Sequence, residues 1–140
     1  MFVLDTNVIS ELRQGKPHQS INVRNWAASQ AANRLFMTAI TILELEKGVL
    51  ALERRTPPQG AALRAWLQEV RLVFEGRILV FNQQTAEHTA TICAALHFPN
   101  PQSERDAMIA ATAMEHGFTV VTRNTADFLG SGVALVNPWD

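Results

Sequence analysis

Short apolar runs alternate with longer amphipathic segments along the whole chain, and this alternation constrains the fold more than any other feature. The apolar runs predict strands at Met1–Leu4, Leu35–Ala39, Ile78–Phe81, Phe118–Thr122 and Val133–Val136. Helical spacing of apolar residues predicts helices at Ile21–Ala31, Ile40–Arg54, Gln59–Phe74, Thr85–Leu96 and Glu104–His116, with a further helix directly after Asp5. Such alternation is typical of an α/β domain with a mainly parallel sheet.

Size and composition indicate one globular domain, residues 1–140, which is long enough to bury a substantial core. The N-terminus has no basic segment that would resemble a signal peptide, and no window approaches the ~18 apolar residues of a membrane helix. The single cysteine cannot form an internal disulfide, which fits a reducing cytoplasm. A net charge of −1 shows no basic excess, so nucleic-acid binding would depend on local arginines or a bound metal.

Asp5 ends the first predicted strand abruptly, and Thr6 and Asn7 begin a helix. In open parallel sheets, active sites lie outside the C-terminal ends of the strands, where the strand order reverses. This rule directs attention to Asp5, Thr6 and the loop from Thr122 to Asp127. Asp5 could equally be the N-cap of the following helix, and the two roles are compatible.

Two further carboxylates lie on predicted helices. Glu44 has the small residues Thr41 and Gly48 as helical neighbours, although it could also be a solvated glutamate paired with Lys47. Asp106 shares a helical face with apolar residues that should turn towards the sheet. It also stands three residues after Ser103, the spacing of a capping box. A loop is expected before this helix, at Phe98–Gln102.

Asn124 and Asp127 follow the fourth predicted strand and would face the same crevice as Asp5. Carboxylates that converge repel each other unless a cation lies between them, and oxygen ligands select Mg²⁺ or Mn²⁺. Such ions can activate water for attack on a phosphodiester. The histidines and the cysteine lack zinc-site spacing, and no P-loop or nucleophile elbow is present.

Four ordered segments resemble the motifs of PIN-domain ribonucleases, and most nearly those of the VapC toxins of the FitB-like branch. The opening FVLDTNVISEL is similar to the family's first strand and Asp-Thr-Asn, and TAITILELEKG carries its glutamate at Glu44. ERDAMIAATAMEHG matches the third block with Asp106 as the acid, and VVTRNTADF resembles the fourth. The ending VALVNPWD is like that of the FitB branch. The resemblance covers nearly the whole chain.

The resemblance implies a three-layer α/β/α sandwich and an endoribonuclease toxin of a type II toxin–antitoxin pair. Asp5, Glu44 and Asp106 would bind Mg²⁺ or Mn²⁺, and either Asn124 or Asp127 would be the fourth site residue. Contacts to RNA or to the acids are expected from Thr6, Asn7, Thr122 and Arg123. The family also implies a homodimer and a VapB- or FitA-like antitoxin that binds operator DNA. The alternative is a catalytically silent PIN-like module that acts as a protein partner in a DNA-binding regulatory complex.

Overall fold

A computed structural model describes residues 1–96 and 101–140, with side chains except those of 101–103. Within these ranges, five parallel strands form one sheet. The strands are β1 (Phe2–Leu4), β2 (Leu35–Thr38), β3 (Ile78–Leu79), β4 (Thr119–Val121) and β5 (Leu135–Val136). The α-helices are α1 (Thr6–Glu11), α2 (Ile21–Ala28), α3 (Ala39–Arg55), α4 (Pro57–Val73), α5 (Gln83–Leu96) and α6 (Pro101–His116). Short 3₁₀ helices cover Ala32–Arg34 and Thr125–Phe128.

Two apolar cores cover the two faces of the sheet. Successive strand residues point to opposite faces, so Val3 and Val120 pack against α5 and α6, while Leu4 and Val121 pack against the first four helices. All four of these side chains are fully buried. The predicted three-layer α/β/α sandwich is therefore confirmed. None of the helices in the described ranges is long and apolar enough to cross a membrane.

The strand order is β3-β2-β1-β4-β5, so β1 is central. Strands β2 and β3 are added on one side of β1, and β4 and β5 on the other, so the strand order reverses between β1 and β4. Phe2, Val3 and Leu4 pair with Thr119, Val120 and Val121. The pairing continues past both strand ends, where the Asp5 backbone N–H donates to the Val121 carbonyl at 2.9 Å. The reversal rule therefore places a candidate site in the region directly beyond Asp5 and Thr122, which we call the crevice.

Helices α3 and α4 form a close antiparallel hairpin that supports one side of this crevice. Gly60 allows the close approach, because a Cβ atom at this position would lie 2.4 Å from the Cα of Glu53. The hairpin is also held by Arg64, whose guanidinium donates to Glu46 at 2.7 Å and to Glu53 at 3.0 Å. These contacts with α4 therefore hold α3, the helix that carries Glu44, in place.

Several predicted boundaries were wrong by a few residues. The strand expected to run to Phe81 ends at Leu79, and the helix expected to run to Ala31 ends at Ala28, with Ser29 as its C-cap. Helix α6 begins at Pro101 rather than Glu104, an error of three residues. Proline suits a first helical turn, since its missing N–H is unpaired there in any helix.

The early start of α6 corrects two expectations. Ser103 lies inside the helix, so it is not the N-cap that the capping-box spacing suggested. The last two residues of the loop expected at Phe98–Gln102 are helical, and the part of that loop at 98–100 lies outside the described residues.

Candidate active site

Asp5 stands at the junction of β1 and α1, in the first position beyond the strand. Its side chain caps α1 by accepting a hydrogen bond from the Thr6 backbone N–H at 2.8 Å. The residue is only 5 % exposed. The cap therefore holds a carboxylate inside the protein at the edge of the sheet, which confirms the capping role and leaves it compatible with the predicted role in a site.

A polar network ties the ends of β1 and β4 together. The Thr122 hydroxyl, which is fully buried, donates to Asp5 Oδ2 at 2.7 Å and accepts from the Asn124 backbone N–H at 3.0 Å. The Asn7 side-chain amide donates to both Asp5 Oδ2 and Thr122 Oγ1 at 3.3 Å. Asn7 Oδ1 in turn accepts from the Arg123 backbone N–H at 3.4 Å. These bonds fix the orientation of the Asp5 carboxylate.

Glu44 reaches the same place from α3. Its Oε1 atom accepts a hydrogen bond from the Thr6 hydroxyl at 2.9 Å, and Thr6 Oγ1 also lies 3.2 Å from Thr41 Oγ1. Its Oε2 atom lies 3.8 Å from Nε of Arg105 on α6. Thr6 therefore connects the two acids, because its backbone binds Asp5 while its hydroxyl binds Glu44.

Burial and two neighbouring carboxylates act on the charge of Asp5. Burial raises the pKa of Asp5 above its ordinary value of 3.8, and the negative charges of Glu44 and Asp127 raise the pKa further. The hydrogen bonds from Thr122 and Thr6 act in the opposite direction and lower it. A buried acid whose pKa is raised by other acids is an arrangement found at functional sites.

Asp106 follows Arg105 on α6 and is only 7 % exposed. Its helix packs against both α3 and β4, so the residue lies on the layer that borders the crevice. The expected inward orientation of Asp106 is therefore confirmed. Its participation in a shared ligand set with Asp5 and Glu44 stays a prediction.

The donor chemistry of the crevice fits a hard divalent cation. Asp5, Glu44 and Asp127 offer carboxylate oxygens, and their charges oppose one another. In the side-chain arrangement of residues 1–96 and 104–140, no three Asp, Glu, His or Cys side chains are grouped as a metal site. Binding by three acids would therefore require side-chain rearrangement.

Similarity to known proteins identifies the family of this chain. The PIN domain profile matches residues 2–129. The chain belongs to the PIN-domain family. A VapC ribonuclease of Sinorhizobium fredii is 36 % identical over all of this chain and 99 % of its own length. Toxin FitB of Neisseria gonorrhoeae is 35 % identical over 99 % of both chains. The crystal structure of FitAcB from Neisseria gonorrhoeae superposes with a TM-score of 0.85 at 34 % identity, covering 99 % of both chains.

As a PIN domain, the chain places most of the predicted site residues around one crevice. Hydrogen bonds or electrostatic coupling join eight of them, namely Asp5, Thr6, Asn7, Glu44, Thr122, Arg123, Asn124 and Asp127. Asn124 takes part through its backbone, and the guanidinium of Arg123 lies 5.4 Å over the ring of Trp139. Among the described residues, Glu44 contacts Thr6 and Arg105 and forms no ion pair with Lys47.

Sequence reasoning missed two residues of the PIN site. Thr41 was treated only as a small neighbour of Glu44, although its hydroxyl meets that of Thr6. Arg105 was passed over because it lies within a matched motif next to the more obvious Asp106. No local pattern indicated it, because consecutive helical residues do not face each other and the contact with Glu44 depends on the packing of α6 against α3.

Proposed function

We propose that this PIN-domain protein is a Mg²⁺- or Mn²⁺-dependent endoribonuclease that acts as the toxin of a type II toxin–antitoxin pair. Relatives of matching length are named VapC ribonuclease and toxin FitB, which supports both the activity and the biological role. A Mycobacterium tuberculosis ribonuclease that is 42 % identical over 57 % of this chain adds further support for RNA cleavage.

The observation that carries the proposal is the buried Asp5 at the reversal point of the sheet, where Glu44 and Asp127 act on its charge. We propose Asp5, Glu44 and Asp106 as the metal ligands, with Asp127 or Asn124 assisting. When bound, the cation would supply an activated water and offset the negative charge of the phosphodiester. It would also provide the positive charge that a chain with a net charge of −1 otherwise lacks.

The remaining residues of the network orient the acids. Thr122 and Asn7 hold Asp5 Oδ2, and Thr6 holds Glu44. Such supporting hydrogen bonds fix carboxylate orientation, and their loss typically costs about 10- to 100-fold in metal affinity or activity. Arg123 directly follows Thr122 and is exposed, so its guanidinium could contact RNA phosphates.

The test is RNA cleavage by the purified protein with and without EDTA, in parallel with Asp5→Asn. The variant should lose at least about 100-fold in cleavage rate, since it removes a negative ligand while keeping the cap acceptor that binds Thr6. Glu87→Gln is the matched control, because it makes the same acid-to-amide change at an exposed position on α5. Circular dichroism checks that both variants fold.

Two outcomes would contradict the proposal. Cleavage by Asp5→Asn at the parental rate, or cleavage that EDTA leaves unchanged, excludes the metal-dependent mechanism. If the folded parent cuts no RNA with either metal, the catalytically silent binding module becomes the better description.

We further propose a FitA- or VapB-like antitoxin as the partner, a homodimeric toxin, operator DNA binding only through the antitoxin, and a cytoplasmic location. The solved neighbours support the antitoxin partner and the DNA binding, because they include FitAB bound to a DNA fragment, at 35 % identity and a TM-score of 0.82. Co-expression with a FitA- or VapB-like antitoxin, followed by light scattering and a DNA mobility shift with and without the antitoxin, tests the partner, the oligomeric state and the DNA binding.

A further inference from the structure

Arg105 brings a positive charge into the acidic crevice from within the chain itself. It lies on α6, and its Nε atom is 3.8 Å from Oε2 of Glu44. Both side chains are largely shielded, with exposed fractions of 25 % for Arg105 and 19 % for Glu44. Screening by solvent is therefore weaker than for a surface ion pair, so this contact influences the local charge balance.

Both carboxylate oxygens of Glu44 already have partners in the protein. Oε1 accepts from the Thr6 hydroxyl at 2.9 Å, and Oε2 faces Arg105. A divalent cation that used Glu44 as a ligand would have to displace or share one of these contacts. It would also approach a guanidinium of the same sign.

We infer that Arg105 is a positioning residue that holds Glu44 as an internal counter-ion and competes with the divalent cation for it. The inference rests on the proposed function, in which Glu44 is a metal ligand. In the protein without metal, the guanidinium of Arg105 partly neutralises the acids. A bound cation would replace the contact between Arg105 and Glu44 with a stronger contact between the cation and Glu44. Arg105 therefore sets how much metal is needed to load the site.

The inference predicts that removing the guanidinium strengthens metal binding. Arg105→Gln should bind Mn²⁺ about tenfold more tightly, a change equivalent to about 1.4 kcal/mol. Arg105→Lys keeps the positive charge and should stay within about threefold of the parent. A merely structural role for Arg105 would weaken Mn²⁺ binding or leave it unchanged.

Arg55→Gln is the matched control, because it removes the same charge from an exposed position on the helix that carries Glu44. Glu44 and Arg55 are eleven residues apart on α3, which is about 16 Å along an α-helix. At physiological ionic strength this exceeds the Debye length, so the control should leave Mn²⁺ affinity within about twofold of the parent.

The measurement is direct binding of Mn²⁺, followed by the electron paramagnetic resonance signal of the free ion, without RNA. Mn²⁺-dependent shifts in melting temperature provide a second readout that does not require activity. Tighter binding by Arg105→Gln together with parental binding by Arg105→Lys supports the inference. Equal or weaker binding by Arg105→Gln, or equal tightening by Arg55→Gln, overturns it.

Cleavage assays separate this inference from the proposed function. If the parent cuts RNA in a metal-dependent manner but Arg105→Gln binds Mn²⁺ no more tightly, only the counter-ion role fails. If Arg105→Gln tightens Mn²⁺ binding but no variant cuts RNA, the role stands as a property of the metal site and the ribonuclease proposal fails. Should Arg105→Gln not fold, Arg105→Met provides the same loss of charge with an apolar stem of similar length.

Discussion

Thr122→Val tests whether the hydroxyl at the end of β4 stabilises the buried Asp5 carboxylate. Valine has nearly the same shape as threonine, so the substitution removes the hydroxyl with little change in packing. The lost contacts are the 2.7 Å donation to Asp5 Oδ2, the bond accepted from the Asn124 N–H, and the longer bond accepted from Asn7.

The expected loss follows from these contacts. A hydrogen bond to a charged group contributes about 1.5–3 kcal/mol, and leaving a donor without its acceptor costs about 1 kcal/mol more. Because Thr122 is fully buried, water cannot replace the hydroxyl. We therefore expect Thr122→Val to lower the free energy of unfolding by about 3 kcal/mol, and the melting temperature of a domain of this size by about 10 °C.

The loss should depend on pH. The pKa of Asp5 is raised in the folded protein, so folding disfavours its charged form, and stability falls as pH rises from 3.8 through the folded pKa. The Thr122 hydroxyl opposes this effect by binding the charged form. Its removal raises the pKa of Asp5 further, so the cost is greatest at neutral pH and shrinks towards about pH 4.

Urea unfolding followed by circular dichroism measures both effects, provided that the m-value is unchanged. Thr122→Ser is the control, because it keeps the hydroxyl and removes one methyl group, which should cost about 1 kcal/mol. The reasoning is refuted if serine is more damaging than valine, or if the loss in Thr122→Val is the same at neutral pH and near pH 4.

Two further substitutions test the supporting structure. Gly60→Ala should lower the free energy of unfolding by about 3 kcal/mol, because its Cβ would overlap the backbone of Glu53. Gly48→Ala, whose Cβ would have open space, should raise the free energy of unfolding by up to about 1 kcal/mol. Equal effects of the two substitutions in thermal melts would contradict the close approach of α3 and α4. Lys16 and the Ser20 backbone N–H lower the pKa of Glu11. Glu11→Gln should therefore cost about 1 kcal/mol at neutral pH, and the cost should fade as pH falls below 4.5 through the folded pKa; a pH-independent loss would exclude the charge as its cause.

The sequence by itself determined which segments are strands and helices and which acids stand at their ends. Apolar periodicity is a local property, so the alternation that gives an α/β sandwich is visible without any coordinates. The position of Asp5 directly after an apolar run placed it at a strand end, and the structure confirms this. Four ordered motifs then indicated the PIN-domain family, to which the chain belongs.

The tertiary structure alone decided how these parts meet. The reversal of strand order next to β1 depends on pairing between residues more than a hundred positions apart, which no local pattern specifies. The same is true of the Arg105–Glu44 contact and of the close approach at Gly60, since both depend on how helices pack rather than on what each helix contains. Charge effects such as the raised pKa of Asp5 arise only once burial and neighbouring carboxylates are combined in space.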